Sequence, residues 1–275
     1  MFWGCAPVEK SDDICPAKYN VLEAMAVLSG RWVQAESFYA NGQCLWTGRD
    51  ADGKARRENF PVKIWAEPPE RFCLHGDILF DGRGMVAGAN QEEFWLAIRP
   101  KELRGYLWGK QTTIRQCTAK LPLPMNPRDI LDALGMIRFE DDSANKNWRL
   151  TAENGYDILI NSDDGQNILK KVYVNRCDYL VRKIEYFSTA GNLAVVTELD
   201  NYRTVTDGFE IPSVIKIRRL SENGDGDAVK ITLKSMKPKE FTEKQKSFLF
   251  SKPGMERFES VLMLNDDCRW VEQDL

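Results

Sequence analysis

His75, in the stretch FCLHGD, is the single histidine among 275 residues, and it limits the chemistry this chain can perform. Histidine is the usual general base near neutral pH and the commonest metal ligand, so one copy leaves few catalytic or metal-binding arrangements. Asp77, two residues on, would share a strand face with His75, and a proton relay between them can be drawn. The plainer reading is a strand-end histidine beside a turn. The chain carries no GxSxG elbow, no HExxH helix and no phosphate-binding glycine loop. Asp50, Asp52 and Gly53, and the run from Asn223 to Asp227, have calcium-loop composition. The first places its glycine too early for an EF-hand and lacks the later ligands, and both fit hairpin turns better. Glu92-Glu93, Asp141-Asp142 and Asp163-Asp164 are adjacent pairs, which a strand would point to opposite faces; they read as solvated loops rather than acid/base partners.

The seven cysteines, at 5, 15, 44, 73, 117, 177 and 268, form no CxxC pair, so a zinc ribbon or a thioredoxin-type site has no support. Cys73 and Cys177 fall in strand-like segments and read as buried thiols acting as small hydrophobes. The residues therefore predict no catalytic group, no metal and no cofactor. With 43% hydrophobic and 29% charged residues and a net charge of -3, the chain has an ordinary globular composition. Its basic residues are interspersed with acids (KARREN, KPKEFTEK), which argues against nucleic acid as the main partner.

Two helices and a long succession of strands must position whatever site exists. Residues 16–30 predict a helix, with Pro16 in its first turn, Val21, Leu22, Met25 and Leu28 on one face, and Gly30 as its stop. Strands are expected over 31–39 and 43–48, joined by a hairpin turn at Asn41-Gly42, and then over 56–66, 71–75, 77–80, 84–88, 93–98 and 103–108. A short helix follows at 127–135, with Pro127 at its start, Gly135 at its end, and Ile130, Leu131 and Leu134 as its apolar face. Strands resume at 147–151, 156–160, 168–175, 179–187, 193–200, 213–219 and 228–236, with every second residue apolar in KKVYVNR and VRKIEYFS. Such short spacing implies antiparallel neighbours rather than βαβ crossovers. Residues 237–275 are more polar, with a short helix at 242–248 and a weakly structured end. The fold class expected is mainly β with inserted helices: one long antiparallel sheet that curls, with the helices over its concave face.

No apolar run approaches the about 20 residues that a membrane-crossing helix needs. Polar sequence follows Met1 almost at once, so no leader is visible. Gly4-Cys5 with the polar tether behind it is similar to the end of a bacterial lipoprotein signal, which would make Cys5 a lipid attachment site and anchor the protein without a spanning helix. Trp3 is bulky where such signals have a small residue, and an ordinary cysteine near a frayed terminus is the alternative. Six cysteines then remain, a number compatible with disulfides. Of eight tryptophans, Trp32, Trp46, Trp65, Trp95 and Trp108 fall in the first run of strands. They suit a filled core, or the wall of a pocket for acyl chains, and the sequence alone does not separate the two.

The order of four segments resembles the bacterial lipoprotein carrier and receptor family typified by LolA and LolB. KIWAEPPERFCL (63–74) looks like its strand–Pro–x–x–Phe passage, and ILFDGRGMVAGANQEEFWLAIRP (78–100) like its paired short strands. NPRDILDALG (126–135) is similar to its middle helix, and residues 178–217 resemble its second run of strands. The resemblance implies an incomplete, half β-barrel lidded by helices, whose apolar cavity takes lipid or lipoprotein acyl chains without covalent chemistry. It divides the chain into a tether (1–15), a half-barrel domain (16–240) and a C-terminal extension (241–275). The expected cavity residues are Ile64, Phe72, Leu74, Leu79, Phe94, Leu96, Leu107, Leu131 and Leu134. Carriers of this kind place an arginine just before the strand proline to latch the lid; here that position is Glu67 or Pro68, and the nearest arginine is Arg71. The implied setting is the bacterial cell envelope, at the periplasm or the periplasmic face of the outer membrane. The expected protein is a monomer whose partners are acyl chains and other envelope proteins. The other reading keeps the fold but fills the cup, leaving an interaction module.

Overall fold

The computed structural model describes residues 15–33, 35–49, 54–78, 81–99, 105–113, 127–137, 139, 147–163, 166–188, 190–220, 226–256 and 258–273. In chain order, the elements are α1 (Val21–Val33), β1 (Phe38–Arg49), β2 (Ala55–Glu67), β3 (Arg71–Ile78), β4 (Asp81–Ala89), β5 (Glu93–Ile98) and β6 (Gly105–Lys110). Then come α2 (Pro127–Asp132), β7 (Trp148–Glu153), β8 (Tyr156–Asp163), β9 (Asn167–Asn175), β10 (Val181–Phe187), β11 (Leu193–Thr206), β12 (Phe209–Arg219) and β13 (Ala228–Pro238). α3 (Glu243–Leu249), β14 (Val261–Leu264) and β15 (Trp270–Glu272) complete the chain.

All fifteen strands join one open sheet, in the order β15-β14-β6-β5-β4-β3-β2-β1-β13-β12-β11-β10-β9-β8-β7. The sheet does not close on itself, so the architecture is the expected half-barrel carrying helices. Its midline is the pairing of β1 with β13, which unites the two runs of strands at a sequence distance no local signal reports. One ladder is not antiparallel: β14 runs parallel to β6, with Val261 opposite Tyr106 and Leu264 opposite Gly109.

The expected Asn41-Gly42 hairpin is absent. β1 runs straight through, because inward alternation persists at Phe38, Ala40, Gly42 and Cys44 and both flanks are occupied by partner strands. Asn41 faces Ser235 and Gly42 faces Leu233, so the dipeptide marks a bulge rather than a turn. A Cβ on Gly42 would lie 2.1 Å from the carbonyl oxygen of Thr232. Gly42→Val is therefore expected to destabilise the protein by about 3 kcal/mol or more, measured as a lowered urea midpoint, since the obstacle is backbone and cannot rotate away.

α1 also departs from expectation at both ends. Asn20 caps it, its Oδ1 accepting the Glu23 N–H at 2.9 Å, so the helix starts at Val21 rather than near Pro16. Residues 15–18 run as a strap. Cys15 is disulfide-bonded to Cys177, and the Lys18 N–H donates to Asp157 Oδ2 at 3.0 Å. Gly30 does not stop the helix; it lies in open space on one side and α1 continues to Val33. Cys177 is thus a cystine, not the buried thiol expected, because the turn after β9 carries it to the surface beside the strap. Cys268 is disulfide-bonded too, whereas Cys73 is a buried thiol.

The sheet has two apolar faces. On the inner face, α1 and α2 pack over residues such as Phe38, Ile64, Phe72, Ile184, Ile211 and Leu233. On the outer face, Phe241, Leu249, Phe250 and Phe258 cover Cys73, Val86, Trp95, Ala97 and Tyr106. The C-terminal segment is accordingly more ordered than its polarity suggested. Thr242 and Gln245 form a reciprocal capping box that starts α3, and β14 extends the sheet. Burial on both faces explains why β5 reads as a continuous apolar run, FWLA, instead of alternating.

Candidate functional site

The inner face is not completely filled. A cavity of about 370 Å³ lies between α2 and the middle strands, within the range of small-molecule sites. Directly opposed positions build its floor in two rows. Ile215, Ile231, Cys44 and Phe60 face one another across β12, β13, β1 and β2, and Ile64, Leu74, Ala87 and Leu96 do so across β2 to β5. Ile130, Ala133 and Leu134, from α2 and the turn after it, form the roof. Small side chains at Ala87 and Ala133 leave the space that large ones would take.

Almost every lining group is hydrocarbon. Glu58 and Asp227 are the charged exceptions among the lining residues, and Asp227 lies 3.9 Å from Arg219. Burial pushes the Cys44 thiol up to about 12, so this wall position stays a neutral thiol at physiological pH. A lining that is mostly hydrocarbon can hold chains of methylene groups.

The roof is fastened on its far side. Asp132, at the end of α2 and largely buried, is ion-paired with Lys170 of β9 and accepts the Tyr186 hydroxyl of β10 at 3.1 Å. Gly135 follows at φ +80°, where the Met136 N–H reaches back to the Leu131 carbonyl at 3.1 Å. A Cβ there would approach the Tyr202 hydroxyl to 3.0 Å, and that hydroxyl donates to the Val181 carbonyl at 2.5 Å. These contacts fasten α2 and the turn after it to the second run of strands. Glu67, at the divergent position, instead bonds Arg71 at 3.0 Å and Lys246 of α3 at 2.7 Å, on the side of the C-terminal helix. Asp132→Ala removes the latch and leaves Lys170 without its carboxylate. It is expected to raise the rate of Cys44 alkylation severalfold, read peptide by peptide by mass spectrometry, because a loosened α2 exposes this largely buried thiol more often.

Of the nine residues expected from sequence to form the cavity, Ile64, Leu74, Leu96 and Leu134 line it. Phe72, Phe94 and Leu131 are buried in the surrounding core, Leu107 is half-buried against it, and Leu79 lies outside the described residues. Phe60, Cys44, Ile215, Ile217 and Ile231 were not anticipated. The last three belong to the second run of strands, and only the β1–β13 pairing brings them to the site. Their signal was the alternation in VIKI (214–217) and VKITL (229–233), which marks an inward face without saying what lies opposite. The tryptophans mostly serve elsewhere. Trp46 lines the cavity, but Trp65, Trp95 and Trp108 pack on the outer face, and the side chain of Trp32 is outside the described set. His75 is also on that outer face, its ring 4.7 Å from that of Trp65, and so cannot act in the cavity. The turns around Asp50 to Gly53 and Asn223 to Asp225, and Cys5, lie outside the described residues. Among the described residues no cluster of three metal-ligating side chains occurs, and no helix is long and apolar enough to cross a membrane.

An open sheet with a latched helical roof over an apolar cavity is a LolA-like half-barrel. The LolA superfamily protein NE2245 from Nitrosomonas europaea superposes with a TM-score of 0.52 at 13% identity, over 86% of this chain and 99% of that one. A protein from Vibrio parahaemolyticus described as an outer membrane lipoprotein-sorting domain gives 0.54 at 14% identity, covering 82% and 94%. A DUF1329 family protein from Desulfovibrio piger gives 0.52 at 12% identity, covering 82% and 96%. No family model and no curated protein matches the sequence. The likeness is therefore one of fold, with identities too low to carry function across.

Proposed function

We propose that this chain is a non-enzymatic lipid- or lipoprotein-binding protein of the bacterial envelope, holding acyl chains in the cavity beneath α2. The observation that carries this reading is the cavity itself: a hydrocarbon-lined space that the sheet and the roof leave unfilled. Each methylene moved into it from water is worth about 0.8 kcal/mol, so ten would contribute about 8 kcal/mol before the costs of association. Nothing in the lining offers a comparable gain to a polar ligand. Ile64, Leu74, Leu96 and Leu134 are the contact residues from the first run of strands and the roof, and Phe60, Ile215 and Ile231 complete the wall.

The disulfide between Cys15 and Cys177 supports a compartment outside the reducing cytosol, which agrees with an envelope location. The fold shared with a protein described as a lipoprotein-sorting domain supports the same setting. In this reading Cys5 is the site of lipid attachment, and residues 1–15 tether the half-barrel to the membrane.

Native mass spectrometry with lipid extraction, on protein gently purified from a bacterial envelope fraction, tests the reading. A non-covalent mass that extracts as phospholipid or as an acylated peptide is the expected result. Protein modified covalently at Cys5 but otherwise empty would keep the anchor and remove the carrier. Protein that is empty and unmodified would remove both.

A further inference from the structure

The two ends of the sheet are unequal. β15 ends one side with three residues, whereas β7 ends the other with six, and among the described residues no strand pairs with its outer edge. Exposed edges are normally blunted by proline, a bulge or charge, lysine above all; β7 (WRLTAE) has no proline, lysine or bulge, and its two charges, Arg149 and Glu153, are of opposite sign. We propose that this edge pairs with the same edge of a second copy of the chain, antiparallel and centred on Thr151.

The register follows from the hairpin. β7 and β8 are joined by Asn154 (φ 47°) and Gly155 (φ 79°), a two-residue turn closed by the pair Glu153 and Tyr156. Such a turn is closed by a hydrogen-bonded pair, so Glu153, Thr151 and Arg149 direct their backbone groups at β8. Trp148, Leu150 and Ala152 direct theirs outward. A two-fold partner must set outward residues against outward residues, which requires the axis to pass through a residue rather than between two. Centring on Leu150 puts Arg149 opposite Thr151, and centring on Ala152 puts Glu153 there. Only Thr151 at the centre sets Arg149 against Glu153 of the second copy, twice by symmetry, with Thr151 against Thr151 between them.

The side chains agree. Arg149, Thr151 and Glu153 are exposed on one face and carry opposite charges at matching distances from the axis. Cross-strand pairs of this kind stabilise antiparallel pairing, whereas like charges opposed there weaken it. Ala152 is exposed and small where the backbones must approach. Trp148 and Leu150 turn to the other face and pack against the core. Leu150 and Ala152 of each copy would exchange four backbone hydrogen bonds across the axis. Six residues on each side make the association weak and concentration-dependent, so monomer and dimer are in exchange.

Sedimentation velocity on the full chain over a range of concentrations tests this, with thermal melting by circular dichroism as the folding control. The wild type is expected to shift from monomer to dimer as concentration rises. Glu153→Arg opposes two arginine pairs and should weaken the dimer tenfold or more, and the double variant Arg149→Glu, Glu153→Arg should restore it. Ala152→Pro removes an outward N–H without touching the β8 ladder and should abolish the dimer at an unchanged melting temperature. A wild type that stays monomeric, or a dimer that survives both Glu153→Arg and Ala152→Pro, overturns the proposal.

Discussion

Ala87→Phe is expected to weaken binding of a long-chain fatty acid about a hundredfold while leaving the protein folded. Ala87 sits mid-floor, opposite Leu74 and Leu96, and its side chain lines the cavity. A phenyl group added there projects into empty space and takes the volume of about four methylenes. At about 0.8 kcal/mol each, their exclusion costs roughly 3 kcal/mol of binding, or about two powers of ten in Kd. Overpacking normally costs about 1–3 kcal/mol of stability, but the 370 Å³ void gives the ring somewhere to go. Titration with a fluorescent fatty acid, alongside a urea melt, separates the two effects. Unchanged affinity in a folded variant would place the acyl chain elsewhere on the molecule.

Replacing both Cys15 and Cys177 by serine is expected to lower the melting temperature by roughly 10 °C. Their bond spans 162 residues, a loop for which chain-entropy arguments give an upper value of about 5 kcal/mol, with about 2–4 kcal/mol more usual. It does not act alone. Asp157 is fully buried next to the strap, and its carboxylate accepts the Lys18 N–H at 3.0 Å, Arg176 Nε at 3.1 Å and the Tyr179 hydroxyl at 3.4 Å. The disulfide and this carboxylate together hold the start of α1 against the end of the β8–β9 hairpin, so the double variant loosens the helix as well as the chain. The double variant is the cleaner test than reductant, which would also open the disulfide of Cys268. Differential scanning calorimetry reads the result. An unchanged melting temperature would mean that the disulfide contributes nothing to the folded state.

Much of the architecture was legible where local pattern and tertiary role coincide. β5 occupies the expected 93–98, because a compact apolar run between Asn90 and Pro100 has few other uses. The middle helix kept its proline start but ends at Asp132, three residues short of the expected 135, with Gly135 closing the turn that follows. The Asn41-Gly42 dipeptide misled because a turn signal competes with strand alternation, and here partners on both sides of β1 decided for the strand. The same long-range pairing hid one wall of the cavity: Ile215 and Ile231 become wall residues only once β13 lies beside β1. The parallel addition of β14 and the choice of Cys15 for Cys177 were also out of reach, since neither leaves a local signature. From sequence the tryptophans fit either a core or a cavity wall; Trp65, Trp95 and Trp108 pack in the outer-face core and Trp46 lines the cavity. Aromatic content reports that a face is buried, and this sheet buries two.

The most direct test of the central claim is photo-crosslinking with a fatty acid that carries a diazirine near the end of its chain, followed by peptide mapping. The account predicts labels on the strands holding Ile64, Leu74, Leu96 and Ile231 and on the roof around Leu134, competed away by unlabelled fatty acid. Labels confined to the outer face around α3, or spread over the surface and insensitive to competitor, would contradict it.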